Sequence, residues 1–216
     1  EAQVTVALDI ARQMVDYLTI GTITNAVNVP SMDGETRKAM ETVLYLAERL
    51  GRFQASYMVG RPTALEIEYS GDLGISDTYP ISASVLTGFL SPLVETVNMV
   101  SAPALLEEYG ISFSETRSPR LPDYAFEIVV SVTTDVEVHR VAGTLFGKHD
   151  ARICSIDGMR VDAKPEGCML VCMNEDKPLI IGRVGVALGE AGVNIANLML
   201  GRDTPGGRAL TVLNLD

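Results

Sequence analysis

Two polar clusters in this chain have residue types that could hold a ligand. The first joins Asn174-Glu175-Asp176, at the end of an apolar run, to Asn194, which sits between Val193 and Ile195 just after an apparent helix end. A buried amide without partners costs about 1–3 kcal/mol. Its apolar neighbours therefore ask for a compensating group, either the protein's own backbone or a small ligand. The second cluster is basic. It comprises Lys148 and His149 in the turn GKHD, Arg152 and Arg160 on neighbouring extended segments, and Lys164 in a short connection. It reads either as a receptor for a small anion or as a solvated edge.

Other chemistries find less support. The glycines Gly182, Gly185, Gly189 and Gly192 are spaced by three, four and three. A dinucleotide fingerprint needs GxGxxG in a turn directly after a strand, so these glycines predict close packing of a helix on a sheet. No P-loop occurs. The two histidines, His139 and His149, read as exposed, and neither belongs to an HxxxH or HExxH pattern, so no metal site and no nucleophile triad is expected. Cys154, Cys168 and Cys172 form no CxxC pair and read as three free thiols of a reducing, cytoplasmic compartment. A net charge of −11 and a pI near 4.6 argue against nucleic-acid binding. No apolar run reaches the roughly 18 residues of a membrane span.

The elements that must position these residues follow from periodicity. Val4, Leu8, Ala11, Val15 and Leu18 repeat at helical spacing, widened by Val6, Ile10 and Met14 into a stripe that asks for much partner surface. Gly21 ends that helix, and a short apolar piece, AVNV at 26–29, stops at Pro30. A second helix is predicted from an N-cap at Asp33 to about Val59. ALEIEYSG alternates as a strand, with Leu65, Ile67 and Tyr69 on one side and Glu66 and Glu68 on the other. A helix near 80–90, a strand at 97–100, a helix at 101–110 and a strand at 111–118 follow. Two hairpins turn at Asp135 and at Asp157-Gly158. Beyond KPEG at 164–167 the order is strand, helix (Pro178 to about Ala191), strand, turn, strand. That βαββ order opens a ferredoxin-like βαββαβ unit.

At this level of detail the chain resembles the D-3-phosphoglycerate dehydrogenase family. EAQVTVALDIARQMVDYL with TNAVNVPS resembles the end of its catalytic region. VAGTLFGKHDARICSIDGMRVDAKPEG resembles its intervening, allosteric substrate-binding domain. MNEDKPLIIGRVGVALGEAGVNIANLMLGRDTPGGRALTVLNLD resembles its ACT regulatory domain. The resemblance implies an α+β chain in three parts: residues 1–29 from the catalytic region, 30–163 the intervening domain with a mixed sheet, and 164–216 an ACT domain lacking its last helix and strand.

What the resemblance implies for function is regulation rather than turnover. It places the family's nucleotide-binding domain and its catalytic Arg, Glu and His upstream of Glu1, so this stretch should carry no catalytic residue, no metal and no cofactor, with NAD belonging to the parent enzyme of serine biosynthesis. The family's ACT domains bind L-serine between two subunits, which by position implies Asn174, Asp176 and Asn194 as effector ligands and a dimer-based homo-oligomer. Arg152 and Lys164 are the implied contacts for a phosphorylated or other anionic effector in the intervening domain. The family usually has Pro-Gly at the start of the ACT helix. Here the pair is Pro178-Leu179, a side chain that can narrow the pocket or abolish serine binding. Two alternatives stand beside this one: a purely structural oligomerisation module, and the related portion of an iron–sulfur L-serine dehydratase, whose cluster would need grouped cysteines. Without a ligand, Asp176 would cap the helix after Pro178 and Asn194 would satisfy a turn.

Overall fold

A computed structural model describes residues 2–20, 34–73, 77–120, 122–147 and 149–216. The expectations for Gly21, the AVNV piece, Pro30, the Asp33 cap and Lys148 lie outside the described residues. The first helix, α1 (Ala2–Ile20), leaves its apolar stripe uncovered: Val4, Val6, Leu8, Met14, Val15 and Leu18 are all exposed.

A mixed six-stranded sheet forms the centre of the chain, in the order β2-β1-β3-β4-β5-β6. Its strands are β1 (Pro62–Gly71), β2 (Ser112–Ser118), β3 (Phe126–Thr134), β4 (Val138–Phe146), β5 (Asp150–Ile156) and β6 (Met159–Ala163). β1 and β2 run parallel, as the crossover through α3 (Tyr79–Leu90) and α4 (Ala102–Glu108) requires; β3 pairs antiparallel with β1, and β3 to β6 pair antiparallel in sequence through short turns. One face of the sheet is apolar: Leu65, Ile67, Ile128, Val130, Val132, Ile153 and Ile156 are buried there. α2 (Gly34–Tyr57) lies across β3, β4 and β5 on that face, with α3 beside it. The helices approach closely because glycine removes the side chain at each contact. A Cβ on Gly51 would stand 2.0 Å from the Val85 carbonyl, and one on Gly88 would stand 1.9 Å from the Glu48 carbonyl.

The alternation of ALEIEYSG, the i, i+4 spacing of Ile81, Val85 and Phe89, and both hairpins appear where the sequence predicted them. The strand expected at 97–100 does not form. Asn98 Oδ1 instead accepts the backbone N–H groups of Val100 and Ser101, and its carbonyl accepts the N–H of Ala102. A side-chain acceptor that satisfies the chain locally wins over an apolar run too short to reach a sheet edge.

The last part of the chain is a three-stranded antiparallel sheet in the order β7-β9-β8, formed by β7 (Cys168–Glu175), β8 (Ile195–Arg202) and β9 (Arg208–Leu215), with α5 (Ile180–Glu190) between β7 and β8. One face of this sheet joins the main core, where Leu210 and Val212 are buried and Met169 and Val171 pack against them. β8 passes so close to β6 that a Cβ on Gly201 would meet the Arg160 carbonyl at 2.5 Å. Asn214 secures the connection by donating to the carbonyls of Lys164 (3.0 Å) and Glu166 (2.9 Å).

Candidate functional site

The first polar cluster divides between the two ends of the small sheet. Register settles this: Glu175 pairs with Arg208 and Arg202 with Ala209 at one end, while Ile195 and Cys168 both pair with Leu215 at the other. Asp176 therefore follows the far end of β7, and Asn194 precedes the near end of β8. At ~3.3 Å per residue along an eight-residue strand, the two are separated by roughly 25 Å or more. A single copy does not bring them together.

At the Asp176 end, the carboxylate accepts Nη1 of Arg202 at 2.9 Å and the backbone N–H of Gly206 at 3.2 Å. Those two donors, the backbone one first, hold its carboxyl below the usual Asp range. Asp176 thus binds the β8–β9 turn and does not cap α5. The residue at the cap position is Leu179, which contributes no side-chain hydrogen bond. Its backbone is left-handed, φ 73, and its side chain is 73% exposed. Glycine is the residue that adopts this conformation without steric cost. Beside Asp176, Asn174 donates to the Glu175 carbonyl at 2.7 Å, while its own Oδ1 is buried without a partner.

At the other end, Asn194 is exposed rather than buried, so no desolvation penalty falls on it. Its Nδ2 donates to Asp216 at 2.7 Å, and its carbonyl accepts the Asp216 N–H. The residue that follows β9 supplies this partner, which the local sequence around Asn194 could not reveal.

The basic cluster is matched by carboxylates. Arg152 forks onto Asp150 (2.7 and 3.1 Å) and reaches Asp162 (3.0 Å), Lys164 lies 3.7 Å from Glu166, and Arg160 pairs with Asp123. His149 is exposed. An anion on Arg152 would have to displace two aspartates.

Two sequence expectations are corrected here. The α5 glycines do not pack on the sheet: an added Cβ on Gly182, Gly185 or Gly189 meets nothing within 4 Å. The apolar side chains Ile181, Val184 and Leu188 reach partial burial instead, and Gly182 and Ala187 line an open groove with Leu179, Arg183, Val186 and Glu190. His139 is not exposed but 9% accessible. Its Nδ1 lies 2.9 Å from Asp157, which also accepts the Tyr57 hydroxyl at 3.0 Å and the Arg140 N–H at 2.8 Å. Nε2 approaches Glu137 at 3.0 Å without the alignment of a hydrogen bond. Burial disfavours a charged imidazole, but Asp157 and Glu137 outweigh it and raise the His139 pKa. Asp157 is the first residue of the Asp-Gly turn, φ 48, so one residue makes the hairpin and anchors α2. The sequence signalled the turn alone.

Among the described residues no group of three or more His, Cys, Asp or Glu side chains could hold a metal, and the three cysteines are free. Burial first, then Glu127 at 3.6 Å from the sulfur, pushes the Cys154 thiol up to about 12, so it behaves as an inert core group. Among the described residues no helix is long and apolar enough to cross a membrane.

Comparison with known proteins agrees with this architecture. A family model described as the D-3-phosphoglycerate dehydrogenase intervening domain matches residues 39–157. Proteins named D-3-phosphoglycerate dehydrogenase align over the whole chain. The Synechocystis protein is 34% identical, with 39% of its length covered. Those from Archaeoglobus fulgidus and Bacillus subtilis are 33% and 32% identical, each with 41% covered. The chain thus spans about two fifths of the length of these curated relatives. The matched region contains α2 from Ala39 onward, α3, α4 and β1 to β5, and with more than half of its residues matched, the chain belongs to the D-3-phosphoglycerate dehydrogenase intervening-domain family.

Proposed function

We propose that this chain is the regulatory portion of a D-3-phosphoglycerate dehydrogenase and that its βαββ unit binds L-serine between two copies. The observation that carries the reading is the separation of Asp176 and Asn194 to opposite ends of one sheet. Two residue types suited to an amino acid become one site only when a second chain supplies the missing half. The ionised Asp176 suits the serine ammonium, the unpartnered Asn174 Oδ1 is a free acceptor beside it, and Asn194 suits the carboxylate or hydroxyl. Exchange of Asp216 for the ligand frees the Asn194 amide.

Oxidation of 3-phosphoglycerate with NAD would be the work of the longer protein. The residues here do not fit NAD, because the β7–α5 turn carries Lys177-Pro178-Leu179 where a dinucleotide needs a glycine-rich loop, and the glycines lie on an open helix face. Control by serine would act through differential affinity for two states of the oligomer, typically about 1–3 kcal/mol of coupling. A phosphorylated or other anionic effector in the intervening domain would use Arg152 and Lys164 after releasing their carboxylates.

Titration calorimetry with L-serine, against D-serine and glycine, tests the serine site. Saturable binding that Asn194→Ala removes is the expected result. No heat at millimolar serine from either protein sinks the proposal and favours a second reading, assembly alone. That reading has its own support in the exposed Leu179 and the uncovered groove of about 550 Å³ on α5. It expects sedimentation as a dimer with or without serine.

A further inference from the structure

We propose that the cleft between α2 and β7 is a binding site for a small amphipathic carboxylate, with its acid group on Arg49 and Arg52 and its apolar body against Phe53, Met169 and Val171. The cleft encloses about 470 Å³, within the range of small-molecule sites. None of Asp176, Asn194 and Arg152 lines it, and it does not depend on the serine reading.

Charge is the first argument. Arg49 and Arg52 are three residues apart on α2, hence neighbours on the helix surface. In a chain of net charge −11, Arg152, Arg160, Arg202, Lys164 and Lys177 each find a carboxylate. Among the described residues neither Arg49 nor Arg52 forms an ion pair. Two adjacent guanidinium groups left free beside a cavity are arranged for an acceptor that comes from outside.

Desolvation is the second. Arg49 Nε is buried with no hydrogen-bond partner. Its guanidinium lies over the Tyr45 ring, 5.0 Å from the centroid, which holds the fork in place. Folded proteins rarely leave a buried N–H without an acceptor, and a carboxylate entering the cleft supplies one in the bidentate geometry that a guanidinium prefers.

The walls define the rest of the ligand. Phe53 on the α2 side and Met169 and Val171 on the β7 side offer apolar surface that a bare phosphate would leave unfilled. Pro165 and Gly167 of the connection close the cleft, and Tyr45 donates to the Pro165 carbonyl at 3.3 Å. Because the walls belong to both sheets' layers, an occupant ties the small sheet to α2, and binding raises the stability of the whole chain.

The test uses 3-phenylpropionate, its neutral amide and inorganic phosphate as probes, followed by calorimetry and by the NMR signal of the Met169 methyl group in the wild-type chain. Expected are saturable binding of one 3-phenylpropionate per chain, a ring-current shift of the Met169 methyl, and affinity at least about tenfold weaker for the amide. Arg49→Met and Arg52→Met each weaken binding by a similar factor, and Arg61→Met, at an exposed arginine outside the cleft lining, leaves it unchanged. Circular dichroism checks that each variant folds, while the Met169 shift reads the site without any substitution. An unmoved Met169 methyl at about 10 mM probe overturns the proposal. So does an equal loss in Arg61→Met, or phosphate binding as tightly as 3-phenylpropionate.

Discussion

Leu179 occupies a backbone conformation that suits glycine, and its side chain gains little in return because it is mostly exposed. Leu179→Gly should stabilise the chain by about 1 kcal/mol, the left-handed penalty less the entropy of the glycine, as read from the urea midpoint. If serine binds at this turn, the same change should tighten it. His139 makes the opposite kind of prediction. Its pKa is raised in the folded chain, so its contribution is full below the unfolded value of about 6.5 and is lost as pH rises through the folded value. The stability difference between wild type and His139→Gln should therefore shrink as urea melts are run from acidic to mildly alkaline pH. Residues of this kind were only half legible in the sequence. Asp157 announced a turn and Leu179 a departure from a family pattern. The partners Tyr57, Arg202 and Asp216 come from 100, 26 and 22 residues away, and no local pattern encodes such distances.

Helices and strands were more legible, because periodicity reports the face an element buries. The two hairpin pairings and the order β7-α5-β8-β9 follow from alternation and turn residues, whereas the parallel β1–β2 and the antiparallel β1–β3 pairings, made across long connections, do not. Periodicity cannot report what lies opposite a small residue. Gly51, Gly88 and Gly185 look alike in sequence, yet the first two abut backbone and the third abuts nothing. Gly51→Ala or Gly88→Ala should cost roughly 3 kcal/mol, since rigid backbone must move. Gly185→Ala should instead gain about 0.5–1 kcal/mol from helix propensity. Chemical denaturation of the three variants separates the cases. If Gly185→Ala is destabilising and also lowers the sedimentation coefficient, the open face of α5 is a contact between copies.

At the scale of the molecule, the two sheets share one core through Leu210, Val212, Met169 and Val171. Thermal unfolding followed by far-UV circular dichroism and by the tyrosines of α2 and β1 should give one coincident transition. Asn214→Ala removes both hydrogen bonds that fix the connection and should cost about 1–2 kcal/mol, splitting that transition if the small sheet then melts first. At this level charge and composition carried only an expectation against a phosphate backbone as partner, and nothing about how the two sheets join.

β7 hydrogen-bonds to β9 alone among the described residues, so its other side is a row of backbone donors and acceptors eight residues long, with Met173 projecting at 45% exposure. Such an edge is a template for any strand of matching length, including its own copy. Open-ended stacking along this edge is opposed at neutral pH by mutual repulsion between chains of net charge −11. That colloidal barrier vanishes near the isoelectric point of about 4.6, where turbidity should rise steeply and a charge placed on the edge by Met173→Lys should suppress it.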